Sequence, residues 1–160
     1  GYTKPERLAI YGGSNGGLLV GAALTQRPDL YRAVVCAVPL LDMVRYQNYQ
    51  IARLWIAEYG SAENADQFGW LYAYSPYHHV KQGTAYPAVL LTAAESDSRV
   101  DPMHARKMTA RLQAATSSDR PVLLRLEARA GHGAGKPPNK VLDELTDTWT
   151  VVVWQLGGGV

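Results

Sequence analysis

A serine lies at the centre of a glycine-rich segment close to the start of the sequence. Residues 12–16 (GGSNG) have the spacing G-x-S-x-G, which is typical of a nucleophilic serine at a sharp strand-to-helix turn. Glycines at such a turn let the strand, the helix and the substrate approach closely. Asn15, the residue after the serine, would begin the helix and direct its backbone N–H to the place where an oxyanion forms.

The residues on either side of this motif have the pattern that such a turn requires. Residues 8–10 predict a buried strand, and residues 18–24 predict a helix of small apolar side chains. A phosphate-binding loop needs a Lys-Ser or Lys-Thr pair after its last glycine, and residues 16–19 (GGLL) contain neither. The G-x-G-x-x-G spacing is not met either. An incidental serine in a glycine-rich turn remains the alternative to a nucleophile.

A serine nucleophile needs a histidine base, and in hydrolases of this kind the chain order is serine, acid, histidine. His78 and His79 precede the acidic loop and follow a Ser-Pro pair, so we expect structural roles for them. His104 lies inside a predicted helix and is interpreted as a surface or packing residue. His132, between two glycines, therefore is the expected base.

The acid that orients this base is sought in the loop formed by residues 95–101. Asp101 precedes a proline and is the expected cap of the next helix, and Glu95 lies too close to the preceding strand to reach another loop. Asp97 is therefore favoured. Asp42, after the second predicted strand, is the second candidate, because some hydrolases place the acid one strand earlier. A pair of carboxylates typical of a glycosidase is not found.

The pattern of apolar runs predicts an α/β fold with a parallel sheet covered on both faces. Such sheets place their chemistry at the carboxyl ends of the strands, so the serine, the acidic loop and the histidine loop should lie at one edge. An irregular, aromatic segment over residues 41–86 should cover the site. The predicted strands are residues 8–10, 33–38, 88–93 and 122–126; the predicted helices run from the serine to about Arg27, from Pro102, and along an apolar stripe from Leu142 to Leu156.

Composition excludes several classes of function. The chain has 160 residues, 47% of them hydrophobic, and a net charge of +2, which fits one globular domain. Without basic runs interleaved with aromatics, and without an apolar run of ~20 residues, neither nucleic acid nor a membrane is an expected partner. The histidines lack H-x-x-x-H spacing and Cys36 has no second cysteine, so no metal and no cofactor are expected, although the pair at 78 and 79 could contribute ligands.

The same sequence leaves the cellular compartment open. The lone Cys36 falls in an apolar run and is interpreted as a buried strand thiol, which favours no compartment strongly. The chain begins at Gly1 with no signal peptide and no initiator methionine, so we expect a processed or truncated product. The cytoplasm is favoured, with the periplasm and secretion left open.

Taken together, the motifs resemble the catalytic domain of the prolyl oligopeptidase family. The resemblance covers nearly the whole chain, and it rests on residues 12–17 (GGSNGG), 26–30 (QRPDL), 74–76 (YSP), 97–100 (DSRV) and 131–136 (GHGAGK). It implies a partial α/β-hydrolase fold in which residues 1–160 form the C-terminal portion of a peptidase catalytic domain. It also implies Ser14 as nucleophile, His132 as base and then acid, Asp97 as orienting carboxylate and the Asn15 backbone as oxyanion donor.

The resemblance further implies a pocket for the ring of a substrate proline. Trp70 would stack on this ring, Tyr74 and Val100 would line the pocket, and Arg99 would donate to the substrate carbonyl just upstream of the proline. A flat apolar pocket suits a ring that has no N–H to offer. Leu40 stands where the family commonly has valine, which would make the pocket tighter.

Other departures concern what the family has and this sequence lacks. Ser98 replaces a second acid after the catalytic aspartate. The family's upstream strands, the tyrosine that supplies a second oxyanion donor, and its β-propeller are absent, so residues 8–10 should form an unpaired, apolar sheet edge and the chain should be poorly soluble and weakly active. The expected partners are a short proline-containing peptide and these missing segments.

Three functions follow as expectations. The first is a serine peptidase that cleaves short peptides on the carboxyl side of proline through an acyl-enzyme. The alternatives are a related serine aminopeptidase or acyltransferase, and a catalytically incomplete fragment that acts only as a binding or folding module.

Overall fold

Four parallel strands form the centre of the molecule. The computed structural model describes residues 1–128, 130–133 and 136–158. The strands are hydrogen-bonded in the order β1-β2-β3-β4, all pairs parallel. The predicted parallel α/β architecture is therefore confirmed. The strands are β1 (Ala9–Gly13), β2 (Ala33–Ala37), β3 (Ala88–Ala94) and β4 (Val122–Glu127).

Helices connect consecutive strands and pack on the sheet. The predicted helices after the serine, after Pro102 and at the end of the chain are all present, and the segment between β2 and β3 consists of short helices and turns, as expected. The α-helices are α1 (Asn15–Gln26), α2 (Ile56–Tyr59), α3 (Ala65–Tyr74), α4 (Met103–Ala115) and α5 (Pro138–Gln155); the short 3-10 helices are Pro5–Arg7, Pro28–Leu30, Tyr46–Asn48, Ala52–Trp55 and Pro76–His79.

The two central strands form the core because their side chains are apolar on both faces. Every residue of β2 and β3 is buried, as expected for parallel strands with helices on both sides. On one face, α1 and α4 pack against the sheet, and on the other face Val152 of α5 contacts Val35 and Leu90. The helix-facing core on the first side is formed by Val20, Leu24, Val34, Leu91, Met108 and Leu112.

The strand β1 lies at the edge of the sheet. Within the described residues it pairs only with β2, and Tyr11 on it is 56% exposed. Residues 8–10 are half-buried, so the prediction that they form a buried strand is wrong. The predicted apolar sheet edge is present. The ring of Tyr11 stacks on that of Trp149, which is itself exposed.

Two further predictions concern helix boundaries and membranes. Asp101 Oδ1 accepts a hydrogen bond from the backbone N–H of Met103 at 2.8 Å, but the N-cap position of α4 is Pro102 and the helix begins one residue later than predicted. No helix in the described part of the chain is long and apolar enough to cross a membrane.

Candidate active site

Ser14 lies at the turn between β1 and α1 in a strained backbone conformation. Its φ is 56° and its ψ is −118°, a combination that non-glycine residues rarely adopt. Its backbone N–H donates to the carbonyl oxygen of Ala37 at 2.8 Å, which continues the pairing of β1 with β2. The turn is thereby held by the sheet at the position expected for a nucleophile elbow.

Two glycines permit this turn because there is no room for a side chain. A Cβ atom on Gly12 would lie 2.1 Å from the carbonyl oxygen of Gly16, and one on Gly17 would lie 2.7 Å from Pro39 Cβ. Strand and helix therefore approach closely at Gly12, and helix and the segment after β2 approach closely at Gly17. Gly16 differs from the expectation, since a Cβ there would meet nothing within 4 Å among the described residues.

The structure brings Ser14, His132 and Asp97 together from three separate loops. His132 Nε2 lies 3.0 Å from Ser14 Oγ, and His132 Nδ1 lies 2.7 Å from Asp97 Oδ2. A carboxylate can only accept, so Nδ1 carries the proton and Nε2 is free to accept the serine proton. This is the geometry that nucleophile, base and orienting acid require.

Asp97 is buried and fully engaged by donors. Its Oδ1 accepts from the backbone N–H groups of Arg99 and Val100 at 2.8 and 2.9 Å, while its other oxygen faces His132. Burial favours a higher pKa for Asp97, but the hydrogen bonds from His132, Val100 and Arg99 outweigh it and hold this pKa below its usual range. The carboxyl is therefore an anion beside the imidazole.

The second candidate acid, Asp42, belongs to a different cluster. Its carboxylate forms ion pairs with Lys107 and with Arg45, and lies 3.9 Å from His78 Nε2. Burial favours a higher pKa for Asp42, but these cationic neighbours lower it below its usual range. Asp42 thus contacts neither Ser14 nor its histidine.

The remaining histidines make structural contacts, as predicted. His78 Nδ1 lies 2.8 Å from Ser75 Oγ, and His79 Nδ1 lies 3.0 Å from the Ser75 carbonyl oxygen. His104 is buried, and its Nδ1 accepts the backbone N–H groups of Leu41 and Asp42 at 3.2 and 3.0 Å. It is therefore a packing residue and not a surface one, and burial lowers its pKa to about 4.

Asn15 is the first residue of α1, so its backbone N–H belongs to the first turn of the helix. The N–H groups of the first helical turn have no partner within the helix, and the partial positive charge of the helix start favours an anion there. The side chain of Asn15 has a partner that the sequence did not predict: its Oδ1 accepts from Tyr59 Oη at 2.8 Å.

An apolar cluster lies beside the serine turn and contains two of the expected pocket residues. Leu40 and Val100 are buried in it, and Tyr74 packs against it. A cleft of about 450 Å³ runs next to this cluster, along the start of α1. It is lined by Asn15, Gly16, Leu18, Leu19, Ala22, Tyr59 and Tyr74.

The structure does not bring Trp70 into this cluster. Trp70 lies on α3 with its side chain 62% exposed. Two other aromatic residues, Trp55 and Tyr59, pack against the cluster that contains Leu40 and Val100. The sequence contains a signal for them that was missed, because residues four apart share one face of a helix and both precede Gly60.

Arg99 presents a free side chain at the same edge. Its backbone N–H is held by Asp97, whereas the residue as a whole is exposed. Its guanidinium makes no hydrogen bond or ion pair with residues that the structure describes.

The described residues contain neither a group of metal ligands nor a reactive thiol. No three histidine, cysteine, aspartate or glutamate side chains are grouped there as metal ligands. Cys36 is buried in β2, and burial raises the pKa of its thiol to about 12, so it is held as an unreactive thiol.

Comparison with known proteins agrees with this geometry. The sequence profile of the prolyl oligopeptidase family matches residues 1–159. A prolyl endopeptidase of Elizabethkingia meningoseptica is 42% identical over 158 residues, which are 98% of this chain and 22% of that protein. A prolyl endopeptidase of Dictyostelium discoideum is 42% identical over 149 residues, 91% of this chain and 20% of that protein.

Solved structures show the same similarity. A chain from a study of two prolyl endopeptidases superposes with a TM-score of 0.95 and 56% identity, over 99% of this chain and 23% of that one. A post-proline cleaving enzyme from Rickettsia typhi superposes with a TM-score of 0.91 and 36% sequence identity, over 96% of this chain and 22% of that one. Prolyl oligopeptidase B from Galerina marginata superposes with a TM-score of 0.90 and 33% sequence identity, over 98% of this chain and 22% of that one.

The chain spans about a fifth of the length of the relatives that it matches. Its four parallel strands correspond to part of their α/β-hydrolase fold. The family profile matches nearly every residue, and the relatives and solved structures described above are prolyl endopeptidases and oligopeptidases. This chain therefore belongs to the prolyl oligopeptidase family.

Proposed function

We propose that the protein is a serine peptidase that cleaves short peptides on the carboxyl side of proline. One observation carries this proposal: Ser14 Oγ, the imidazole of His132 and the buried carboxylate of Asp97 form a continuous chain of hydrogen bonds at 3.0 and 2.7 Å. The serine sits in a strained turn at the start of a helix, where its oxygen reaches a substrate without a covering side chain.

Acylation follows from this arrangement. His132 Nε2 removes the proton of Ser14 Oγ as the oxygen attacks the carbonyl carbon of the scissile peptide bond. The negative charge that develops on the carbonyl oxygen is stabilised by the backbone N–H of Asn15. Asp97 stabilises the imidazolium that forms. His132 then donates its proton to the leaving amine, the C–N bond breaks, and an acyl ester remains on Ser14.

Deacylation repeats these roles with water. His132 takes a proton from the water molecule as its oxygen attacks the ester carbonyl, and returns the proton to Ser14 Oγ as the C–O bond breaks. The peptide leaves as the carboxylic acid of its proline, which loses its proton to water, and the enzyme regains its starting protonation state.

We propose that the apolar cluster beside Ser14 holds the proline ring. Leu40 and Val100 form its buried floor, and the partly buried rings of Trp55 and Tyr59 form a wall against which a ring can stack. Trp70, expected from the sequence to stack on the proline, is exposed outside this cluster. We place Arg99 upstream of the proline, with its guanidinium donating to the preceding substrate carbonyl.

A fluorophosphonate probe tests the chemistry in the full-length protein. We expect covalent labelling of Ser14, found by mass spectrometry of the peptide that contains it, and no labelling of the Ser14→Ala variant. A folded wild-type protein that stays unlabelled would refute the peptidase and favour the alternative of a binding or folding module. The control is Ser98→Ala, which removes a hydroxyl near the site and should label normally.

Matched peptides test the specificity. A fluorogenic peptide with proline before the scissile bond should be cut at least tenfold faster than its alanine counterpart, because ring burial and stacking contribute about 1–3 kcal/mol. Trp55→Ala should lose most of this preference and Trp70→Ala should keep it. The opposite result would return the stacking role to Trp70, and equal rates for both peptides in the wild type would remove the proline claim.

A second candidate activity is acyl transfer. The solved prolyl oligopeptidase B of Galerina marginata is described as bound to a hydrolysis and macrocyclization substrate, and an acyl-enzyme attacked by an amine instead of water yields a new peptide bond. Adding an amino-acid amide to the assay and measuring the masses of the products by mass spectrometry distinguishes acyl transfer from hydrolysis.

An aminopeptidase is a further alternative. Blocking the amino terminus of the peptide would abolish cleavage by an aminopeptidase.

We also propose that further segments complete the catalytic domain. The support is that β1 pairs with one strand only in the described structure, that large apolar side chains are exposed around it, and that the relatives are several times longer. Upstream strands would pair with β1, a tyrosine hydroxyl would supply a second oxyanion donor, and a β-propeller would restrict access to short peptides. Residues 1–160 produced alone should then aggregate, whereas the full-length protein should stay monodisperse in light scattering.

A further inference from the structure

The hydrogen bond between Tyr59 and Asn15 joins two parts of the site that have separate tasks. Tyr59 Oη donates to Asn15 Oδ1 at 2.8 Å. Asn15 directly follows the nucleophile and begins α1, whereas Tyr59 ends α2, 44 residues later in the chain. The bond therefore ties the start of the catalytic helix to the segment that packs on the apolar cluster.

Tyr59 is held firmly in this position. Its ring meets the fully buried ring of Tyr46 edge-on, with 5.6 Å between centroids and 86° between planes. Tyr46 in turn donates its hydroxyl to the carbonyl oxygen of Gly60 at 2.5 Å. Burial, together with Glu58 and Tyr74, raises the pKa of Tyr59 to about 12, so its hydroxyl keeps the proton that it donates.

Tyr59 also lines the cleft next to the serine turn. The cleft includes Asn15, Leu18 and Tyr74 as neighbouring wall residues, and Tyr59 packs against the cluster that contains Leu40. A substrate ring seated there would press on the same side chain whose hydroxyl holds Asn15. A single residue thus contacts both the proposed specificity pocket and the residue that carries the proposed oxyanion donor.

The direction of the Asn15 N–H is set by a peptide unit that lies in a strained region. The Ser14 conformation, with φ of 56° and ψ of −118°, is strained and persists only where the surroundings hold it. Oxyanion donors act through preorganised geometry, so a misplacement of a few tenths of an ångström weakens them. An anchor on the Asn15 side chain limits the rotation of this peptide unit.

We infer that Tyr59 is a positioning residue that couples occupancy of the proline pocket to alignment of the oxyanion donor on Asn15. This inference rests on the proposed peptidase function. A bound proline ring presses on the ring of Tyr59 and restricts its motion. The hydrogen bond from Tyr59 Oη then restricts the motion of Asn15 at the start of α1. Part of the preference for proline therefore acts on kcat, where only interactions made in the transition state contribute.

The test is Tyr59→Phe in the full-length protein, since phenylalanine keeps the ring and its edge-on packing and removes only the hydroxyl. We expect kcat for the proline peptide to fall about 5- to 10-fold with KM within twofold. For the alanine peptide we expect kcat to fall less than twofold. The ratio of kcat for the proline peptide to kcat for the alanine peptide should therefore fall.

A double variant isolates the bond. If both residues act through it, Asn15→Ala combined with Tyr59→Phe should match Asn15→Ala alone within twofold in kcat. Multiplicative losses in the double variant would overturn the coupling. The coupling would also be overturned if Tyr59→Phe changed only KM, if it left kcat unchanged, or if it lowered kcat equally for the proline and alanine peptides.

The matched control removes a phenol outside the site. Tyr72 lies on α3, about half exposed, and stacks on Phe68; Tyr72→Phe should leave both kcat values unchanged. Labelling of Ser14 by the fluorophosphonate separates the two levels of failure. A wild type that labels and cleaves, with Tyr59→Phe unaltered, refutes the coupling alone; a wild type that does neither refutes the peptidase.

Discussion

Asp97 and Asp42 follow neighbouring strands, each has a side chain about 1% exposed, and each has a histidine close by. Their surroundings differ. Asp97 is held by two backbone N–H groups and His132, and no lysine or arginine side chain among the residues that the structure describes is bonded to it. Asp42 is paired with the charged groups of Lys107 and Arg45, and His78 lies 3.9 Å away.

This difference shows why one buried carboxylate can act on a histidine and the other cannot. Backbone dipoles stabilise an anion without neutralising it, so Asp97 keeps its full charge for the imidazolium that forms on His132. Side-chain cations cancel the charge of Asp42 locally. Its carboxylate instead fixes the segment after β2, which carries Leu40 into the apolar cluster.

The largest effect should come from Asp97→Asn. The asparagine fits the same space, but its amide cannot stabilise the imidazolium and selects the wrong imidazole tautomer, so kcat should fall about 10⁴-fold. Stopped assays at high enzyme concentration measure this, and circular dichroism checks that the fold is retained. A loss below tenfold would show that the charge on Asp97 is not needed.

A smaller effect, on stability and not on chemistry, should follow from Asp42→Asn. The variant leaves Lys107 and Arg45 without their anion, and we expect about 3 kcal/mol less free energy of unfolding; this is the low end for a broken buried pair because both cations reach water. Urea unfolding measures it. The rate of Ser14 labelling should change less than threefold under native conditions, and a loss as large as that of Asp97→Asn would erase the contrast between the two acids.

The smallest effect at neutral pH concerns His104, which holds the backbone of Asp42, because its contribution to stability changes only as the pH falls below 6.5. Its pKa is lowered from 6.5 to about 4 by burial, so as the pH falls between these values the unfolded chain binds a proton that the folded chain does not. Stability contributed by the neutral imidazole is complete above pH 6.5 and is lost toward pH 4, at no more than about 1.4 kcal/mol per pH unit.

His104→Gln keeps an acceptor and cannot titrate, so it should flatten this part of the stability profile. Unfolding midpoints at half-unit pH steps measure the slopes of wild type and variant. Identical slopes would show that His104 is already accessible to protons in the folded state.

The sequence predicts the catalytic geometry well because chain order and strand ends determine it. Once Ser14, Asp97 and His132 each follow a parallel strand, the topology brings them to one edge, and the structure places them within hydrogen-bond distance. The four strands were predictable for the same reason, since buried parallel strands have continuous apolar runs.

The pocket was harder to predict because it is built from the irregular segment between β2 and β3. Ten tyrosine, tryptophan and phenylalanine residues in that segment could supply an aromatic ring, and hydrophobic periodicity does not predict how short 3-10 helices place them. The resemblance implies Trp70, whereas in the structure Trp55 packs against the cluster, and the burial of His104 depends on contacts 62 and 63 residues away. Such long-range contacts leave no local pattern.

The hydrogen bond from Ser14 N–H to the Ala37 carbonyl has a consequence for how the protein loses activity on heating. This bond makes the nucleophile the last rung of the β1–β2 ladder, and β1 is paired on one side only in the described residues. Edge strands open with less free energy than central ones. Wherever β1 lacks a second partner, fraying of its end releases the serine before the core melts, so thermal inactivation should run ahead of the loss of helical signal.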